Sequence, residues 1–305
     1  MKPSIFLSIF FNSIKYKVLC FLKTTKNIFY AYRFLLSLLC TCVLISSCST
    51  NIAIRSKEAD SISATNHFTK QLVKGGDFTL TTYQRITNKD LPYVFYIEGD
   101  GYAFNGRYSI SDNPTPLHPM LLKLASLDDR PNVVYIARPC QYTDMDLNPK
   151  CNESYWTDRR MSEEVVASVN MAIESINNRQ NFSLIGYSGG GGIAVLIAAR
   201  NNRVKDIITL AANLNHVSFN RHHNTKPMIG SLNPIDYAVK IRNIPQLHVS
   251  GSADNIVPTF IAEEYIKKSD SPCVEGCIFN GLHHQNNWDL YWKNIFNKPI
   301  TCYKN

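Results

Sequence analysis

Short apolar runs alternate with longer amphipathic segments from residue 77 onward. The runs YVFYIEG (93–99) and NVVYIARP (132–139) are rich in Val, Ile and Tyr, which predicts buried parallel strands. Residues 77–86 alternate polar and apolar side chains and predict an edge strand. Similar apolar runs predict four further strands, within residues 182–188, 206–214, 245–251 and 273–281.

Helical patterns lie between these strands. Residues 162–179 have acidic side chains in the first turn, apolar residues at helical spacing and a polar opposite face. Further helices are predicted over residues 192–201, 257–269 and 287–298, and residues 213–244 look irregular. Because strands and helices alternate, we predict an α/β fold: one domain over residues 76–305 with a mostly parallel, doubly wound sheet, helices on both faces and a minimal cap.

The amino-terminal segment has the pattern of an export signal. Residues 34–45 form an uncharged apolar core with the length of a signal-peptide core rather than of a membrane span. The following LISSCST resembles a bacterial lipobox, so we predict a lipoprotein signal peptide over residues 1–47, lipidation of Cys48 and a flexible tether over residues 48–75. An ordinary signal peptide or a transmembrane anchor is the alternative. The expected location is the bacterial cell envelope, with the protein exported and lipid-anchored to a membrane.

The formal net charge of +8 comes mostly from that same segment. The first 47 residues contain six Lys and Arg and no acidic residue, so the remainder has 26 basic residues against 24 acidic ones. No basic stripe interleaved with aromatic residues appears in that remainder, and we therefore expect no nucleic-acid partner.

Five cysteines follow the predicted lipidation site. In an oxidising compartment we predict the local pairings, Cys140 with Cys151 and Cys273 with Cys277, which leaves Cys302 without an assigned role. A zinc site is the alternative, but neither pair has the usual ligand spacing or a neighbouring histidine pair. We expect no metal and no cofactor.

Candidate chemistry begins with GYSGGGG (186–192), where a predicted strand passes into a predicted helix. Gly-x-Ser-x-Gly at such a turn presents the serine hydroxyl above the sheet, near helix N–H groups that favour a developing negative charge. The pattern is weak by itself, because small residues are common at these turns. A phosphate-binding loop is the alternative, but no Gly-Lys-Ser/Thr follows. Ser188 is therefore the candidate nucleophile.

A serine nucleophile needs a histidine base and a carboxylate, which follow it in the order acid, then histidine. Asp254 follows the strand predicted at 245–251 and is the candidate acid, with a helix cap as its alternative role. His283 and His284 follow the last predicted strand. Neighbouring residues on an extended segment point to opposite sides, so only one of the two faces Ser188.

The ordered segments YIEGDG, ARPCQY, WTDRR, GYSGGG, SLNP, SGSADNIVP and GLHHQNNW resemble the α/β-hydrolase superfamily over residues 78–298. The likeness is closest to small exported bacterial esterase-like hydrolases, which often begin as lipoproteins. The resemblance implies a catalytic triad, and a common Gly-x-x-His lead-in selects His284 after Gly281. It also implies two backbone N–H donors for the oxyanion, on Gly189 and, by position, on Asp100 in the EGDG loop.

The EGDG loop departs from the superfamily, which often has His-Gly-x there. Two acids at this position repel an oxyanion unless Glu98 and Asp100 point away or are paired, and Arg138 is the candidate partner. A plain turn is the alternative interpretation of EGDG.

We therefore expect a serine hydrolase that acts on small carboxylic esters or other acyl substrates through an acyl-enzyme. A peptidase or thioesterase is the alternative enzyme. A surface lipoprotein that uses the fold as a binding scaffold is the alternative outside enzymes, since a fold does not determine a function.

Overall fold

The computed structural model describes residues 52–106 and 109–302. The predicted signal peptide and Cys48 lie outside this range. Among the described helices, none is both long enough and apolar enough to cross a membrane.

An eight-stranded sheet organises the fold, in the order β1-β2-β6-β3-β7-β8-β9-β10. The first two pairings, β1 with β2 and β2 with β6, are antiparallel, and the remaining neighbours are parallel. The carboxyl ends of six parallel strands therefore meet at one edge, which is where ligands bind in such sheets. The strands are β1 (Thr69–Gly75), β2 (Phe78–Ile86), β3 (Tyr93–Ile97), β6 (Asn132–Ile136), β7 (Phe182–Tyr187), β8 (Val204–Leu210), β9 (Gln246–Gly251) and β10 (Val274–Phe279), with a separate ribbon of β4 (Phe104–Asn105) and β5 (Ser109–Ile110).

Helices cover both faces of the sheet. The helices are α1 (residues 52–65), α2 (Met120–Ser126), α3 (Glu163–Ile176), α4 (Gly189–Ala198), α5 (His216–His222), α6 (Phe260–Ser269) and α7 (Trp288–Phe296). Buried side chains of α3, α4 and α6 share one apolar core, and those of α1, α2 and α7 share the other. The predicted three-layer α/β architecture is confirmed.

Strand β3 shows how the two cores form. Its five residues are all buried, and successive side chains alternate between the cores: Phe95 and Ile97 belong to one, Val94 and Tyr96 to the other. Helix α4 is buried along its whole length, which explains why its sequence is apolar on every side.

The tether prediction is wrong over residues 52–75. Helix α1 buries Ala59, and β1 pairs with β2 along seven residues. Strand β1 is exposed almost throughout and so has no apolar alternation to reveal it. Because β1 is the edge strand, β2 lies inside the sheet, against the sequence-based expectation.

Two other segments contain short helices that the sequence pattern did not predict. Residues 213–244, predicted to be irregular, contain α5 and the 3₁₀ helix Pro234–Tyr237. The segment after β6 contains two more 3₁₀ helices, Met145–Leu147 and Glu153–Trp156.

One of the two predicted disulfides forms. Cys140 is bonded to Cys151, as predicted, but Cys273 is bonded to Cys302 and Cys277 is a free thiol. Cys277 lies within β10, four residues beyond Cys273 along extended chain. Four residues of strand span roughly 13 Å, well beyond the separation that a disulfide bridges.

Candidate active site

The candidate nucleophile lies on a strained turn between β7 and α4. Ser188 has a φ of 51° and a ψ of −121°, a conformation that non-glycine residues adopt rarely. It is half-buried, whereas its neighbours in β7 and α4 are buried. The turn requires glycine nearby, because a Cβ on Gly186 would lie 2.5 Å from the Gly190 carbonyl oxygen. The strain therefore presents one hydroxyl at the carboxyl edge of the sheet.

The structure brings the three predicted side chains together. His284 Nε2 lies 3.2 Å from Ser188 Oγ, and His284 Nδ1 lies 2.8 Å from Asp254 Oδ2. Asp254 and His284 are each only 6% exposed, so this chain of hydrogen bonds is shielded from water. A relay of this geometry is able to move a proton from the serine hydroxyl to the imidazole.

Asp254 makes a separate set of hydrogen bonds with each of its two carboxylate oxygens. Its Oδ1 accepts hydrogen bonds of 2.8 Å from the Ile256 and Val257 N–H groups, while Oδ2 faces His284. The alternative role that the sequence allowed, a cap on the following segment, is therefore also present. The two backbone bonds fix the carboxylate and, through it, the imidazole.

The structure separates the two adjacent histidines. His284 is buried and His283 is exposed, as expected for neighbours on an extended segment. The carbonyl oxygen of His284 accepts hydrogen bonds from the Tyr187 hydroxyl at 3.1 Å and from Trp288 Nε1 at 2.7 Å. These two aromatic residues hold the histidine loop against the serine turn.

The loop after β3 runs beside the serine. The register pairs Ile97 with Gly186, and a Cβ on Gly99 would lie 3.1 Å from the Ser188 Cβ. A Cβ on Gly189 would lie 2.0 Å from Asp100 Oδ1, so the residues of both predicted oxyanion donors meet at this point. Gly189 is the first residue of α4, and the first N–H groups of a helix have no partner within it.

Both acids of this loop are paired, on different partners. Glu98 is buried and accepts hydrogen bonds from the Tyr135 hydroxyl at 2.8 Å and the Gly99 N–H at 2.9 Å. Burial raises the pKa of its carboxyl above the usual value, against the lowering effect of those two bonds. Asp100 instead forms ion pairs with Arg138 at 3.4 Å and with Arg160 at 3.2 Å. The repulsion that the sequence suggested is thus offset.

The segment next to the Cys140–Cys151 disulfide also contacts the EGDG loop. Gln141, next to Cys140, donates a hydrogen bond of 3.0 Å to the Gly99 carbonyl oxygen. The Cys140–Cys151 bridge therefore anchors the segment that holds the predicted oxyanion loop in place.

Sequence reasoning missed three polar residues around this site: Arg160, Asn213 and His216. Each is at most 8% exposed. The Asn213 N–H donates to the Ser188 carbonyl oxygen at 3.1 Å. The paired arginines of WTDRR were a visible signal, but nothing local distinguished the buried one. Among the described residues, no three His, Cys, Asp or Glu side chains converge to hold a metal ion.

No family of known sequences and no curated protein matches the chain. Solved structures resemble it. The acylaminoacyl peptidase of Pyrococcus horikoshii is 15% identical with a TM-score of 0.54, over 75% of this chain and 40% of that one. The esterase Pf2001 of Pyrococcus furiosus is 12% identical with a TM-score of 0.54, over 74% and 88%. Est1E from Butyrivibrio proteoclasticus is 13% identical with a TM-score of 0.52, over 74% and 95%.

This chain matches less than half the length of the peptidase and most of the length of both esterases. At these identities the likeness concerns the fold. Sheet order, the strained serine turn and the structural neighbours agree: the chain has the α/β-hydrolase fold.

Proposed function

We propose that this protein is a serine hydrolase that cleaves carboxylic esters through an acyl-enzyme. The observation that carries the proposal is the buried relay from Asp254 through His284 to Ser188, on a strained turn at the ligand-binding edge of the sheet. Structural neighbours named as esterases and acylaminoacyl peptidases support hydrolase chemistry.

In the first half of the reaction, Ser188 Oγ attacks the substrate carbonyl carbon while its proton passes to His284 Nε2, 3.2 Å away. The imidazolium that forms is stabilised by Asp254 on its other nitrogen. Collapse of the tetrahedral intermediate breaks the C–O bond to the alcohol, and His284 returns the proton to that leaving oxygen. Water then repeats the sequence on the acyl-enzyme and releases the acid.

The negative charge of each tetrahedral intermediate needs donors positioned beforehand. The N–H of Gly189, at the start of α4, and the N–H of Asp100, on the loop beside Ser188, supply them in this proposal. Ion pairs to Arg138 and Arg160 neutralise the Asp100 carboxylate, so that a negative side chain close to the oxyanion does not cancel their effect.

The direct test is covalent labelling. A fluorophosphonate probe should modify wild-type protein at Ser188, and Ser188→Ala should abolish both labelling and turnover of p-nitrophenyl esters of increasing chain length. Labelled Ser188→Ala, or an unlabelled wild type that hydrolyses no ester, amide or thioester, contradicts the proposal and favours a binding scaffold. Faster cleavage of acyl-peptide amides or thioesters than of matched esters contradicts the ester assignment alone.

We also propose that the protein is exported and anchored by lipid on Cys48. The support is the LISSCST sequence after an apolar core, together with two disulfides in the described domain, which suit an oxidising compartment. Mass spectrometry of protein purified from membranes should find a lipidated Cys48, and Cys48→Ser should accumulate unprocessed. An unmodified amino terminus downstream of Cys48 overturns the proposal.

A further inference from the structure

The buried side chains of Asn213, His216 and Arg160, on segments around the Ser188 turn, are among those whose polar atoms the described residues do not satisfy. Asn213 Oδ1 has no hydrogen-bond partner there, and neither ring nitrogen of His216 makes a well-formed one, although the Ser231 main chain is near. Arg160 Nε contacts Asp100 only as an ion pair without hydrogen-bond geometry. Buried polar groups in folded proteins normally find partners, so a cluster of exceptions beside a nucleophile points to a ligand.

One loop links Arg160 and His216 to each other. Ser231 Oγ accepts the Met161 N–H at 3.0 Å, and the Leu232 N–H donates to the Met161 carbonyl oxygen at 3.0 Å. Two residues after Ser231, Asn233 Oδ1 accepts the His216 N–H at 3.0 Å. Residues 231–233 therefore bond both to Met161, the neighbour of Arg160, and to His216. The two unsatisfied side chains are held by one segment rather than by independent loops.

Two residues that adjoin Arg160, one in the chain and one as its ion-pair partner, pack on the first turns of α4, which begins directly after the nucleophile. A Cβ on Gly192 would lie 2.9 Å from the Met161 side chain, and one on Gly189 would lie 2.0 Å from Asp100, the ion-pair partner of Arg160. Arg160 thus pairs with a residue that lies against the first residue after Ser188.

The two arginines of this site have different tasks. Arg138 is 3% exposed, donates to the Arg160 carbonyl oxygen and pairs with Asp100. The Arg160 side chain is more open, at 10% exposed, and among the described residues it pairs with Asp100 through Nε. Two guanidinium groups therefore share one carboxylate, and the donors on the outer edge of Arg160 remain for another anion.

We propose that Arg160, with His216 and Asn213 beside it, binds an anionic group of the substrate, so that the preferred esters carry a carboxylate. The inference rests on the proposed hydrolase function and deepens it. Guanidinium binds carboxylate through charge-assisted hydrogen bonds, and the imidazole and amide supply further polar contacts. Burial and the nearby Arg160 lower the pKa of His216, so its ring is neutral at pH 7 with one donor and one acceptor.

The test compares esters that differ only in this charge. On the acyl side, mono-p-nitrophenyl adipate is compared with p-nitrophenyl hexanoate. On the alcohol side, 4-acetoxybenzoate is compared with its methyl ester. The variant is Arg160→Gln, and the matched control is Arg159→Gln, because the neighbouring Arg159 is 45% exposed in its side chain and pairs with Glu164.

We expect wild type to favour the anionic ester of one pair in kcat/KM. Arg160→Gln should lower that preference about 10- to 100-fold, the range for losing a hydrogen bond to a charged group. Arg160→Lys should retain part of it, and Arg159→Gln all of it. Equal losses on charged and neutral esters, or no wild-type preference in either pair, overturn the proposal.

Binding gives a readout that does not depend on turnover. Calorimetry on Ser188→Ala protein with both pairs of esters should show the anionic ester of one pair binding more tightly than its neutral match, and the double variant with Arg160→Gln should lose that difference. If wild type hydrolyses nothing but this binding difference is present, the hydrolase proposal fails and the anion site stands. If esters are cleaved and the difference is absent, the anion site fails alone.

Discussion

The sharpest prediction concerns Asp254, because its two carboxylate oxygens have separable tasks. Oδ1 accepts the N–H groups of Ile256 and Val257, and Oδ2 faces His284 Nδ1. Asp254→Asn keeps an oxygen for the two backbone donors and places an NH₂ group against the histidine. Asp254→Ala removes both sets of contacts. The two variants should therefore agree in activity and differ in stability.

The activity loss follows from the proton on His284. An NH₂ donor opposite Nδ1 requires an unprotonated Nδ1, which puts the ring proton on Nε2, the atom 3.2 Å from Ser188 Oγ. That nitrogen then has no lone pair to accept the serine proton. In serine triads this wrong tautomer lowers kcat by about 10⁴-fold, equivalent to about 5.4 kcal/mol of transition-state stabilisation.

The stability loss applies to the alanine variant alone. The Val257 N–H is buried, and losing its acceptor costs about 1–3 kcal/mol. At roughly 2–4 °C per kcal/mol for a domain of this size, Asp254→Ala should melt several degrees below wild type, while Asp254→Asn stays close to it.

The assay is kcat on an activated p-nitrophenyl ester, together with the melting temperature by circular dichroism. Ser188→Ala gives the background rate, and Asp270→Asn, at the exposed end of α6, is the matched control that should change neither quantity. An Asp254→Asn protein within tenfold of wild-type kcat refutes the orienting role. Equal melting temperatures for the asparagine and alanine variants refute the capping role.

Three further predictions test other parts of the site. His284→Ala should lose several orders of magnitude in kcat, whereas exposed His283→Ala should stay within a few-fold; the reverse result exchanges their roles. Burial raises the pKa of Glu98, so the folded chain holds that proton more tightly and wild-type stability should fall as pH rises from the usual carboxyl pKa to the raised one. Urea unfolding at several pH values should show a flatter fall for Glu98→Gln. Replacing both Cys140 and Cys151 with serine should cost about 3 kcal/mol of unfolding free energy by urea titration, and unchanged stability contradicts that.

The sequence predicted those parts of the site whose signals are local. The Gly-x-Ser-x-Gly turn needs glycine for steric reasons that hold at any such strand-to-helix junction, and the structure shows the crowding directly at Gly186. The order of strands then placed Asp254 and His284 at the same sheet edge. Alternation along an extended segment predicted that only one of the adjacent histidines faces Ser188, and the Gly-x-x-His resemblance selected His284. The opposite burial of His283 and His284 agrees with that alternation.

Features that the local apolar pattern does not show were not predicted. Strand β1 is polar and exposed, and it is a strand because β2 offers it an edge to pair with. Cys273 pairs with a cysteine 29 residues away rather than with the nearer Cys277, since an extended strand separates the near pair. Short spacing along the chain was misleading for the cysteines, because the extended backbone decides which groups can meet.

The acids of the EGDG loop show why the same limit applies to the site itself. In sequence, Glu98 and Asp100 look like a defect beside an oxyanion. Two residues apart at the end of a strand, they find partners of different kinds. Glu98 accepts a hydrogen bond from a tyrosine hydroxyl, and burial raises its pKa. Asp100 pairs with Arg138 and Arg160, which lie 38 and 60 residues further along the chain. Arg138 is buried against the Arg160 main chain, so the pair is assembled as one unit. One carboxylate, that of Asp100, is paired with two guanidinium groups, so this cluster keeps a net positive charge near the serine turn. That charge is the physical reason to expect an anionic substrate.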